Sequence, residues 1–190
     1  MSIVNTVVTL EQLAEGFTGL FKHRVFRLET LDYYYAPNER EPYARFLAGE
    51  PVNPAWREPW KWNVHRIRES GRTIERVHVV TEPVSDYVRF SLLHGYPANV
   101  EAGESVRILS REKALEAQIS DVDFWLFDDS LAAILDYNYA TGRVERVEMR
   151  RDMETLTWLR GERDEVRRLA VPLAQYVAEH NITNERTQAA

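Results

Sequence analysis

The stretch from Arg76 to Arg89 includes two guanidinium groups, an imidazole, a phenol and, besides Glu82, the carboxylate of Asp86; the candidates for chemistry are Arg76, His78, Asp86, Tyr87 and Arg89. Gathered around one cleft with an acidic residue from elsewhere, such groups could bind or hydrolyse a phosphate ester or nucleotide-type small molecule. Asp128 and Asp129 are the acidic residues that could complete the set, within a wider group that includes Asp121 and Asp123. Carboxylates at that spacing could hold Mg²⁺ beside a phosphate. Each feature also has a plain structural reading: Asp86 as a helix cap or ion-pair partner of Arg89, His78 as a satisfied core histidine, and Asp128-Asp129 as hairpin-turn chemistry.

Other chemistries lack a motif. The five histidines are scattered, with no His-Glu-x-x-His or comparable metal spacing, and there is no cysteine to supply a thiolate ligand, a thiol nucleophile or a disulfide. Neither a glycine-rich phosphate loop nor a Gly-x-Ser-x-Gly elbow occurs. No metal and no cofactor is expected.

The elements that must position these residues follow from the pattern around them. Ile74, Val77, Val79 and Val80 crowd β-branched side chains after Gly71, which predicts a mostly buried strand ending near Thr81. Pro83 stops the ladder, and Ser85 or Asp86 caps a helix that Gly95 should end and Pro97 should keep from resuming. The join lies at the C-terminal end of a strand and the start of a helix, where ligands often sit in α/β sheets.

Upstream, Thr9-Leu-Glu-Gln12 has the form of a capping box before a short helix, and His23 to Thr30 alternates as a strand. Glu39 to Leu47 reads as a short helix, and the proline-rich segment from Pro51 as a loop. Trp60, Val64 and Ile67 share a helical face. Trp56, Trp60 and Trp62 either pin that loop onto a core or form a stacking platform. Downstream, Asn99 to Glu104 reads as a loop, Ser105 to Leu109 as a strand and Arg111 to Ile119 as a weak helix. Asp123 to Met149 reads as a three-stranded meander, and Leu156 to Val177 as a long amphipathic helix that Pro172 must kink or restart.

The expected fold is α/β (α+β): one domain over residues 1–180, with a mixed, largely antiparallel sheet of about five or six strands packed with helices, and a frayed tail over 181–190. With 190 residues, 44% of them apolar, the chain can bury a sizeable core. The N-terminus lacks a basic leader, and no apolar run approaches the roughly 18 residues of a membrane span, so a cytoplasmic location without membrane attachment is expected. A net charge of −6 argues against direct nucleic-acid binding by bulk attraction. Charge is nevertheless uneven. Six Lys/Arg against three Asp/Glu lie between Trp56 and Arg76, and nine acidic against three basic residues between Glu101 and Asp136, a complementarity that is either internal or offered to a partner or a second copy. The basic 57–76 region leaves contact with DNA an open question.

Several separated runs resemble a large actinobacterial family of unknown function: Leu28-Glu-Thr-Leu-Asp32, Phe46-Leu-Ala-Gly-Glu-Pro51, Arg76 to Arg89, Tyr96 to Glu104, Asp123-Phe-Trp-Leu-Phe-Asp-Asp129 and Ala170 to Tyr176. Members of that family look like companions of small helix-turn-helix regulators encoded beside them. The resemblance therefore implies a non-enzymatic regulatory or interaction protein with such a regulator as partner, and possible homodimerisation. The order of elements is also loosely similar to one half of a phospholipase-D-like fold. The active form of that fold needs His-x-Lys, and His78-Val-Val80 and His94-Gly-Tyr96 both lack the lysine. The alternative is the phosphate-ester or nucleotide-type hydrolase or binder, with Arg76, His78, Asp86, Tyr87, Arg89, Asp128 and Asp129 as its candidate site.

Overall fold

β-branched and aromatic residues at alternate positions build a central sheet that is buried on both sides. Its eight strands run in the order β1 (Thr6–Val8), β7 (Arg143–Arg150), β6 (Leu131–Asn138), β5 (Asp123–Phe127), β2 (Arg24–Glu29), β3 (Thr73–Val80), β4 (Ser105–Ser110) and β8 (Val171–Pro172). The structure, a computed structural model, describes residues 5–184. The sheet is larger than the five or six strands expected, and its centre, β2, β3 and β4, is parallel. The added strands are short edges of three and two residues, too short to leave a period in the sequence.

The two faces of the sheet have different coverings. On the far face Phe26, Leu28, Val77, Val79, Leu109, Phe124 and Leu126 meet Ala114 of α6 (Arg111–Glu116) and Leu156, Leu159 and Val166 of α7 (Met153–Leu169) in one apolar cluster. Asp152 caps α7 by accepting from the Thr155 N–H at 2.9 Å. The expected long C-terminal helix is divided at Pro172, after which α8 (Leu173–Glu179) begins. Residues 185–190 of the expected tail lie outside the described residues. Ile182 packs beside the core cluster of Leu173 and Tyr176.

The near face is covered by α1 (Leu10–Gly16), α3 (Glu58–Glu69) and the segment from α4 (Asp86–Phe90) to α5 (Tyr96–Ala102). The capping box at Thr9 and Gln12 is present in both directions. Val64 and Ile67 of α3 are fully buried against Val25, Ile74 and Phe127.

Gly95 and Pro97 do not end the helical segment as the sequence suggests. Ser91–Gly95 forms a single wide π turn that joins α4 to α5. Pro97 is the second residue of α5, directly after the π turn, where its fixed φ suits helical backbone. Asn99 to Ala102 is consequently helical rather than loop, and Gly103, in the left-handed region with φ 106°, is the true terminator.

Among the described residues, no helix is long and apolar enough to cross a membrane.

Candidate functional site

The strand register determines which side chains share the near face. Arg27 of β2 lies beside Arg76 of β3 and Trp125 of β5, and one step along, Glu29 lies beside His78. A band of charge therefore crosses the middle of the sheet, where the flanking near-face positions Val25, Ile74 and Phe127 are apolar and buried. Burying charge is tolerable only when each group is paired and hydrogen-bonded.

The pairing here is dense. Asp123 accepts from the Thr30 N–H at 2.8 Å and the Thr30 hydroxyl at 2.6 Å through one oxygen. Its other oxygen accepts from Arg27 at 2.7 Å and the Tyr34 hydroxyl at 2.8 Å. Glu29 accepts from Arg76 and, at 2.8 Å, from the Tyr96 hydroxyl. Arg76 also donates to Glu104 at 2.8 Å, and Glu104 takes the Trp60 indole N–H at 2.9 Å on its other oxygen. His78, fully buried, sits between the Leu31 carbonyl and the Tyr96 hydroxyl, each 2.8 Å from a ring nitrogen. The carbonyl can only accept, so Nε2 is protonated and Nδ1 faces the phenol.

Electrostatics follow from this geometry. Burial would raise the Glu29 carboxyl, but Arg76, Arg27 and His78 outweigh it and hold the group well below its usual range. Burial prevails at Asp123, which is raised despite Arg27 and Thr30. It also prevails at Glu39, raised against the opposing Tyr87 hydrogen bond and the Arg57 charge. Burial, with Asp123 and Glu29 nearby, pushes the Tyr137 phenol up to about 12.

Above the band lies a cavity of about 320 Å³. Arg27, Glu29, Arg76 and Trp125 form part of its floor, and Trp56, Arg57, Trp60, Ser91, Gly95 and Tyr96 part of its helical wall. Tyr34, Tyr35, Glu39, Tyr87, Leu135 and Tyr137 line it further, and the exposed Leu10 and Asn38 also reach it. Three of the lining residues carry a buried donor with no hydrogen-bond partner: Nη1 of Arg27, Nε1 of Trp56 and Nε of Arg57. Buried donors are rarely left unmatched in a finished core.

The residues expected to form a site are divided by the structure. Arg76 and Tyr87 line the cavity, and His78 lies behind it through Tyr96. Asp86 and Arg89 stand on α4 and are not part of the lining, where Tyr87 takes their place by donating to Glu39 at 2.6 Å. Asp128 and Asp129 are at the other end of the sheet. Both are in the left-handed region, at φ 48° and 58°, in the turn between β5 and β6. Asp128 accepts backbone N–H groups of Lys22, His23 and Arg24, the latter two at 2.9 and 2.8 Å, while Asp129 pairs with Arg24 and Arg163. They tie the start of β2 to the hairpin and do not join the cleft. Among the described residues, no group of three His, Asp or Glu is placed to hold a metal ion.

The acidic partners that sequence reasoning missed are Glu29, Glu39 and Glu104, together with Arg27 and Arg57. The signal for the first was Arg27-Leu-Glu29, two charges at alternate positions of a strand flanked by Phe26 and Leu28. The tryptophans follow both readings in part: Trp56 stacks on Phe90 with ring centres 5.4 Å apart and still lines the cavity, whereas Trp62 is 58% exposed. The charge asymmetry is met within the chain by Lys61 with Glu101 and Arg76 with Glu104.

The family described as Domain of unknown function (DUF6879) matches residues 11–178. The chain belongs to the DUF6879 family. No curated protein matches this DUF6879 chain in sequence. Among solved structures, Nuc, a phospholipase D family member from Salmonella typhimurium, aligns with 89% of the DUF6879 chain and 98% of its own at 11% identity and TM-score 0.51. NucT from Helicobacter pylori covers 90% and 99% at 10% identity and TM-score 0.48. TrmBL2, described as an archaeal chromatin protein with a novel mode of DNA binding, covers 87% of this chain at 9% identity and TM-score 0.48. The DUF6879 chain spans about half of its length, 53%. The likeness to Nuc is one of fold.

Proposed function

We propose that this protein is a non-catalytic regulatory module that binds a small polar molecule in the cavity over the charged band and passes the bound state to a protein partner. The observation that carries this is the cavity itself, floored by buried charge and walled by residues with unmatched donors. A core built only for stability gains little from such a band, since well-packed apolar residues serve at least as well. Ligand sites, by contrast, combine an aromatic wall with a few convergent polar groups.

Hydrolysis of a phosphate ester is the weaker reading. His78-Val-Val80 lacks the lysine of His-x-Lys, both ring nitrogens of His78 are engaged, and no lysine lines the cavity. The partner class suggested by the sequence resemblance is a small helix-turn-helix regulator of an actinobacterial host, and this chain would act on it from the cytoplasm.

The test is a thermal-shift screen of small polar metabolites on the full chain and on Ala36→Trp, a substitution at a residue that also lines the cavity and that fills it from its wall. Compounds that stabilise the native chain but not the filled one are the expected result, followed by ligand-dependent co-purification with the regulator. If no compound distinguishes the two proteins, the proposal fails.

A further inference from the structure

Resting on that reading of the cavity, we infer that its ligand is a flat, uncharged heterocycle of nucleobase or nucleoside size whose edge presents both N–H donors and a carbonyl acceptor, and that phosphate is excluded. Three features lead to this class.

The first is charge. Arg27, Arg57 and Arg76 are each matched already: Arg27 by Asp123, Arg76 by Glu29 and Glu104, and Arg57 by Glu39 at 3.5 Å. The buried carboxylates Asp123, Glu29 and Glu104 and the half-buried Glu39 face three guanidiniums, so a phosphoryl group would enter without a free counter-charge, and burying an unpaired anion is strongly unfavourable.

The second is the spare hydrogen-bonding capacity of the wall. Glu39 takes the Tyr87 hydroxyl on one oxygen, and its other oxygen has only the longer Arg57 approach, so it can accept a further N–H. The Tyr137 phenol accepts from Arg27 at 3.0 Å and keeps its own O–H to donate. One acceptor and one donor lining the same cavity match the N–H and C=O edge of a cyclic amide, which a carboxylic ester, having no donor, and an alkylammonium ion, having no acceptor, do not present.

The third is size and shape. A volume of about 320 Å³ is at the lower limit of ligand pockets, which run from roughly 300 to 1,000 Å³. Aromatic rings from helix and sheet, Trp56, Trp60, Trp125 and Tyr34 among them, line it. Planar bases gain from aromatic neighbours whatever their hydrogen-bonding edge.

Isothermal titration calorimetry of the full chain with guanosine, inosine, cytidine and uridine, with adenosine as the base that has no carbonyl, and with their 5′-monophosphates and inorganic phosphate, tests this. The expected result is that at least one carbonyl-bearing nucleoside binds, tenfold or more tighter than its monophosphate and than adenosine, and that Glu39→Gln weakens it at least tenfold. Tyr137→Phe, which removes only a hydroxyl, should weaken it several-fold; it carries the test if Glu39→Gln melts early. Binding of the monophosphate or inorganic phosphate as tightly as the nucleoside overturns the ligand class. So does binding of an unrelated compound that Ala36→Trp abolishes, although the site reading then survives. A chain that binds neither nucleosides nor any compound of the wider screen overturns both.

Discussion

The two faces of the sheet are buried to a similar degree and built on opposite principles. On the far face the central strands present mainly carbon to α6 and α7, with the Glu75–Arg167 pair at the margin, and stability there comes chiefly from area removed from water, about 25 cal/mol per Å². On the near face the same strands present Arg27, Glu29, Arg76, His78 and Asp123, whose mutual attraction roughly offsets the loss of hydration. One face is what the fold stands on, and the other is what the fold is free to use. That division explains how a charged cleft can occupy the centre of a sheet: the apolar work is done behind it and along its margins, by Val25, Ile74 and Phe127 with α1 and α3.

The largest expected effect tests the near face. Asp123→Ala removes four accepted hydrogen bonds and leaves Arg27 without its closest partner, which should lower unfolding stability in urea by about 3–5 kcal/mol. Replacing both partners, as Arg27→Met with Asp123→Leu, should recover the part of that loss due to the unpaired Arg27 charge, while the Thr30 and Tyr34 donors stay without their acceptor, and should abolish ligand binding. If the double variant is as unstable as the single one, the band is a structural necessity and the contrast between the faces collapses.

Leu159→Ala probes the far face. Leu159 is fully buried under the sheet, and its truncation should cost about 2–5 kcal/mol by the same urea measurement. The loss should be independent of pH, and nucleoside binding measured well below the midpoint should be unchanged. A change in affinity would show that the faces are coupled.

The smallest effect separates them by acid. The Glu29 carboxyl is held below its ordinary value of 4.5, so its contribution is present above that value and is lost as pH falls below it toward the folded-state value. Asp123, raised by burial, has the opposite sign, because its folded form takes up a proton more readily and gains relative stability as pH falls. Glu29→Gln should therefore flatten the acid loss of stability below about pH 4.5, followed by denaturation at stepped pH. An unchanged slope would place the acid sensitivity elsewhere.

The strand-and-helix skeleton was legible in the sequence because its signals are local. Val77, Val79 and Val80 mark a strand, Ser85 caps the following helix, Thr9 and Gln12 make a capping box, and the meander from Asp123 shows its turns. What was not legible depends on register. Arg27 looks like one member of an alternating strand until its neighbours Arg76 and Trp125 are known. Asp128 and Asp129 drew attention as adjacent carboxylates, yet they serve a tight turn and the start of β2. Glu104, fully paired between Arg76 and Trp60, follows a glycine that sequence reasoning assigned to a loop. Gly95 misled for a related reason: a residue that commonly stops a helix here sits at the end of a π turn, and only the packing above the cavity shows why the chain continues.

That π turn has a consequence for how the family can vary. Ser91–Gly95 holds one residue more than an ordinary helical turn would need, and Ser91, Gly95 and the following Tyr96 all border the cavity. Deleting a single residue there would restore a regular helix and leave the phase of the residues after it almost unchanged, because the wide turn holds its extra residue within nearly the same rotation as one ordinary helical stretch. Tyr96 would still face Glu29 and His78, and the change would fall on the bulge itself, which borders the cavity at Ser91 and Gly95. A chain one residue shorter here should therefore keep the Tyr96 hydrogen bonds and differ in the shape of the pocket along this wall.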